Sequence, residues 1–268
     1  MRNTLDKEYL EHRVFAQLAE YADFYRTLSN SIMNWISQGT NSIINIDTYV
    51  FSSIQGTLES INDILLKGRI NDSYALLRKY YDATIINLYT ILYLSDNFNI
   101  DNFIVQKINN WIRGNETIPS FGTMSEYILK SIKVSEITQL IYGNGTFKGS
   151  SFEDLRQRCN DHTHYLYYHN LLSNDNQIYL QNRIAILESF SKDLQDVFIM
   201  HLSYLFYQND HYLMSSDYID SLECGLIPEE NSQYWVAPFI QNIFDSVIKA
   251  NRPDIAETIK NKTSMNLE

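Results

Sequence analysis

Apolar side chains recur every three or four residues through most of the chain, so helix is the element its pattern predicts. Leu10, Val14, Leu18, Tyr21, Tyr25 and Leu28 predict a helical layer over residues 5 to about 37, with a break near Ser29 and a loop containing Gly39. Phe51, Ile54, Leu58, Ile61 and Leu65 predict a second helix from about Ile43 to Lys67, with Gly68 placed to end it in a left-handed cap. Leu77, Tyr81, Ile85, Leu88 and Leu92 predict a third, capped by Asn71 and running to about Leu94. The second and third match in length and spacing and should form an antiparallel hairpin.

Short helices follow around Ile104 to Ile112, Thr123 to Ile132 with a Thr123/Glu126 capping box, and Ser135 to Ile141. Ser150 and Glu153 make a second capping box at the head of a helix read as continuous to Asn170. Leu187, Phe190, Leu194, Val197, His201 and Tyr204 stripe a long helix from about Ile178 to Tyr207, with His201 at a core position after an SNDNQ turn. From residue 211 the texture becomes aromatic, acidic and less regular around Pro228 and Pro238, with one more helix to about Ala250 and a last one starting at Pro253. Tyr234, Trp235 and Phe239 should pack this segment onto the rest.

Composition sharpens the class. With 9 glycines and 4 prolines in 268 residues, turns are scarce, which favours an all-α multi-helix bundle built on the long hairpin. Its expected parts are an N-terminal helical layer over 1–44, a bundle over 45–210 and a C-terminal helical appendage over 211–268. The formal charge of −11 opposes general attraction to nucleic acid or anionic lipid, so any such contact needs a local basic patch. Lys67, Arg69, Arg78 and Lys79 form one near the hairpin turn, while Arg78 and Asp82, four apart, read as an ion pair on a solvated face.

Cys159 and Cys224 fit neither a metal knuckle nor a disulfide framework. The charged N-terminal residues exclude a secretory signal, and Val197–Tyr207 is too short to span a membrane, so a cytoplasmic protein with no membrane contact is expected. In YGNGTFKGSS, five residues separate Gly143 from Gly149 and no Lys follows the second, so a connector replaces a phosphate-binding loop.

The chemistry concentrates in Ser150–Asn170. On a single helix Phe152, Leu155, Cys159 and Leu166 share one face, and His164 lies opposite beside Asn160, Asp161 and Tyr168, with Arg158 on the far side of Asp161. A metal site from His162, His164, His169 and Asp161 is disfavoured because positions two apart diverge on a helix. A structural role remains open, with Arg158 paired to Asp161 or Asp154 and the histidines capping and packing.

Arg158 and His164 enclose five residues, CNDHT, and Arg156 and His162 enclose another five. This resembles the Arg, four to six residues, His motif of the HEPN superfamily, and NDSYALLRKYYDATIINLY resembles the long helix pair of its bundles, over about residues 45–210. The resemblance implies metal-independent RNA cleavage with no cofactor. His164 would exchange a proton with the ribose 2′-hydroxyl or the leaving oxygen, Arg158 would stabilise the phosphoryl oxygens, and Asn160 or Asp161 would orient the pair. Arg156, His162 and Tyr168 stand as secondary candidates.

It also implies a homodimer with sites meeting across a cleft, in a toxin–antitoxin or phage-defence setting. The competing reading is a non-catalytic helical binding or sensor module of a bacterial defence or regulatory system, taking a nucleotide, or a protein partner through the C-terminal appendage.

Overall fold

A computed structural model describes residues 6–35, 46–99, 104–143, 145–175, 182–227 and 235–268. It is an all-helical bundle, and among the described residues there is no strand, though Met214 and Val236 form an isolated antiparallel bridge. No described helix is long and apolar enough to cross a membrane. The Gly39 loop, Pro228, Tyr234, and the predicted starts of the second and the long late helix lie outside the described residues.

The chain forms two compact units that interleave along the sequence, whereas the sequence pattern suggests boundaries in series. The first gathers the described parts of Met1–Ser29, Ile46–Asn87 and Phe147–Phe198. It is built from α1 (Lys7–Leu10), most of α2 (Val14–Trp35), α3 (Ile46–Leu66), the first part of α4 (Ile70–Asn97), two later helices and the first part of a third, all described with the site. The expected N-terminal helix is thus two helices, because His12 turns its ring back to accept the Val14 N–H at 3.2 Å and starts α2 afresh.

Helix α3 ends as its sequence predicts. Gly68 takes φ 76°, Gly68 N–H donates to Leu65 O at 2.7 Å, and Arg69 N–H donates to Ile64 O at 3.2 Å, the paired bonds of a Schellman cap. The hairpin is antiparallel: Asn87 on α4 donates to Asp47 at the far end of α3, at 2.7 Å. Between these ends the predicted stripes are buried, from Phe51 and Ile54 to Leu77 and Tyr81. Tyr25 and Tyr80 share a buried hydroxyl hydrogen bond of 2.9 Å, which satisfies both phenols inside an apolar core.

Asn71 does not cap α4, as the sequence reading has it. The first-turn donors are met from a hundred residues away: Ile70 N–H reaches Ser173 O at 3.3 Å, and Asp72 N–H reaches Asn174 Oδ1 at 3.2 Å. Asn71, released from capping, is buried and turns to the site.

The second unit holds the described parts of Asn30–Asn45, Leu88–Thr146 and Ile199–Glu268. Here lie α5 (Gln106–Ile112), α6 (Phe121–Lys130) and α7 (Ser135–Tyr142). Helix α6 starts two residues earlier than predicted, because Ser120 rather than Thr123 accepts the first-turn N–H. Gly143, Gly145 and Gly149 all take positive φ, as glycines in turns do.

Site geometry on helix α8

Helix α8 (Ser151–Thr163) starts where the capping box places it: Glu153 N–H donates to Ser150 Oγ at 3.3 Å. The glutamate carboxylate reaches back to Gly149 N–H at 2.6 Å. Its far end corrects the sequence reading. The helix stops at Thr163, with Tyr165 N–H donating to His162 O at 3.3 Å and Leu166 N–H to Asp161 O at 3.0 Å.

These are the same two bonds that close α3, made around Tyr165 at φ 50° where a glycine is usual. The chain restarts as the short α9 (Tyr168–Leu172). A helical wheel drawn through residue 170 therefore misplaces the residues beyond Thr163: Leu166, read as a core residue, is exposed, and Tyr168 stands 74% exposed at the head of α9.

Arg158 and Arg156 leave α8 on opposite sides and each finds a carboxylate. Arg158 makes a two-pronged contact with Asp193 of α10 (Arg183–Gln208), Nε to Oδ2 at 2.9 Å and Nη2 to Oδ1 at 2.5 Å. Asp193 is 2% exposed, while the Arg158 side chain keeps 43%. This bond raises the Arg158 pKa further above its usual range. The carboxylate partner is neither Asp161 nor Asp154.

Arg156 reaches Asp82 on α4 at 2.5 Å, and Arg78 lies 3.8 Å from the same carboxylate while donating to Asn160 Oδ1. The Arg78/Asp82 face is thus turned to α8 and not to solvent alone. Asn160 is committed to holding α4.

The histidines separate sharply. His162 is buried at 9% exposure, with Nδ1 2.9 Å from Asn71 Oδ1 and its ring stacked on Tyr74 at 4.0 Å, planes 6° apart. Burial pushes its pKa down to about 4, with His169 adding to the fall and Asp161 opposing it. His164 is the exposed C-cap residue of α8.

An open cleft of about 220 Å³ brings together Arg158, Asp161, His162, Tyr167 and His169, with Tyr74 beneath and Ile186 and Ser189 of α10 across it. Tyr167 and His169 stack at 5.5 Å, and Asp161 accepts from Gln157 at 2.6 Å. Of the residues read from sequence, then, Arg158, Asp161, His162 and His169 line the cleft. Arg156 and Asn160 face α4, and His164 and Tyr168 are outside the lining. Asn71, Tyr74, Tyr167 and Asp193 were missed. Asp193 had a signal, a carboxylate on the apolar stripe between Phe190 and Val197.

A larger groove of about 440 Å³ between α2 and α3 is walled by Asp23, Glu59 and Asp63, with Arg26 bonded to Asp23. It carries no imidazole or thiol and has the wrong charge for a phosphodiester. Among the described residues no three His, Cys, Asp or Glu side chains are grouped to hold a metal ion. Comparisons of the chain with protein-family models, curated proteins and solved structures find no match.

Proposed function

We propose that the chain is a metal-independent endoribonuclease of HEPN type, acting in the cytoplasm as a homodimer and serving as a toxin or phage-defence effector. The observation that carries this reading is Arg158, braced by a buried carboxylate at an open cleft that also holds an imidazole. Asp193 engages two of the five N–H groups of the guanidinium, and the other three suit a phosphate. Preorganised donors of this kind stabilise charge developing on phosphoryl oxygens without moving during the reaction. His164, exposed at the end of the same helix but outside the cleft lining, takes proton transfer on the HEPN resemblance alone, with Asp161 to orient the groups around it. Asn160 is turned to α4, where it accepts from Arg78, and lies outside the cleft lining.

The test is incubation of purified protein with RNA in EDTA, beside Arg158→Gln and His164→Ala. Cleavage should persist in EDTA and fall about 100-fold or more in each variant, the usual scale for a lost proton-transfer group or a lost charge-stabilising donor. Intact RNA under all conditions would end the proposal.

A second reading, a non-catalytic module for a protein partner, is favoured by a run of exposed apolar side chains. Tyr165, Leu166, Tyr167, Tyr168 and Leu171 are all exposed within seven residues, as are Leu222, Leu226 and Ile227 in the second unit. Its test is copurification from the native cell with Leu226 and Ile227 changed to Ser. Retention of every partner would count against the C-terminal surface.

A further inference from the structure

Two residues of α4 fix one imidazole. Asn71 is buried, and its Oδ1 lies 2.9 Å from His162 Nδ1, while Tyr74 holds the ring plane by stacking. An amide oxygen only accepts, so the nitrogen facing it carries the proton. A neutral imidazole protonated at Nδ1 presents Nε2 as an acceptor.

His162 lies one helical turn after Arg158 and lines the same cleft. Side chains four apart on a helix stand roughly 6 Å apart at Cβ. The cleft therefore brings together the His162 ring and a cationic donor. The matching ligand is a hydroxyl adjoining an anion, which in nucleic acids is the ribose 2′-hydroxyl beside its 3′-phosphate, absent from DNA.

We infer that Asn71 is a positioning residue: it fixes His162 Nε2 as the acceptor for the 2′-hydroxyl of a nucleotide whose phosphate sits on Arg158, so the cleft selects RNA over DNA. This rests on the reading of the cleft as an RNA site, but not on His164 or on cleavage. Burial supports it by keeping the ring neutral down to a pKa of about 4. The titratable and charged groups around the ring are Arg158 and Asp161 on α8 and His169 on α9.

The experiment is nitrogen NMR of the full chain labelled at histidine, with His162→Gln identifying the resonances. Uridine 3′-monophosphate and its 2′-deoxy counterpart are the probes. Expected are the Nδ1–H form from pH 5.5 to 8, an Nε2 shift with the ribonucleotide alone, and ribonucleotide binding about 3- to 10-fold tighter, the scale of one neutral hydrogen bond. Asn71→Asp, nearly isosteric, should bring the imidazolium into this pH range, and the preference for ribose should fall as it forms.

An Nε2–H ring in the native protein, equal shifts with both nucleotides, or no binding of either would overturn the inference. Selectivity without RNA cleavage would leave it standing and sink the nuclease. An Nε2–H ring in a protein that still cleaves RNA would do the reverse.

Discussion

The Arg158–Asp193 pair is unequal, and that inequality predicts the outcome of breaking it from either side. The carboxylate is 2% exposed, near Tyr74 and Cys159, whereas the guanidinium side chain keeps 43% of its surface in water. Arg158→Met retains most of the aliphatic stem but strands a charge inside. Stranding a buried charge costs roughly 3–5 kcal/mol, and since this pair is half open to solvent the expected loss is about 2–3 kcal/mol.

Asp193→Asn leaves a cation that can turn outward and an amide oxygen that still accepts one hydrogen bond, so about 1 kcal/mol is expected. The double variant should be more stable than Arg158→Met alone, because the orphaned charge is gone. Equilibrium urea unfolding followed by circular dichroism reads all three. If Asp193→Asn costs as much as Arg158→Met, or the double variant is the least stable, the pair is not held together as described.

Three more expectations follow. Asn174→Ala removes both contacts to Asp72 that close the first turn of α4, and a thermal melt should register a loss of about 1 kcal/mol, as for other helix caps. Tyr165→Gly relieves a left-handed residue and should stabilise the protein by about 0.4–1 kcal/mol, whereas a lower melting temperature would mean the Tyr165 ring contributes more than its backbone costs. His162 is held at a pKa of about 4 and His201 at about 3, both below the usual imidazole value, so the unfolded chain binds protons first as pH falls. Stability should therefore decline from about pH 6.5 to 3, and His162→Gln should flatten the part of that slope above about pH 4 in urea titrations at several pH values. An unchanged slope would contradict the burial of that ring.

The helices were legible because their stripes are local and strong. Phe51, Ile54, Leu58, Ile61 and Leu65 are all fully buried, as are Leu187, Phe190, Leu194 and Val197. What failed depends on partners distant in sequence or on a rule with an exception. Gly68 announces the end of α3, but α8 closes with identical bonds around Tyr165, which carries no such signal. That one miss put Leu166 in the core and His164 and Tyr168 on a helix face they do not share.

Asn71 has the composition of a cap, and only the arrival of Ser173 and Asn174 at the head of α4 sends it to His162 instead. Arg158, singled out from sequence, lines the cleft. Its partner Asp193 was hidden 35 residues away, visible only as a charge on an otherwise apolar stripe.

The chemistry of the cut ends tests the central claim most directly. A short RNA oligonucleotide is incubated with the native chain and with Arg158→Gln in EDTA, and the fragments are weighed by mass spectrometry. Attack by the 2′-hydroxyl predicts 2′,3′-cyclic phosphate and 5′-hydroxyl ends, abundant with the native chain and nearly absent with the variant. Intact RNA, or cleavage that requires added magnesium or survives loss of the guanidinium, would contradict the assignment of the α8 cleft as a ribonuclease site.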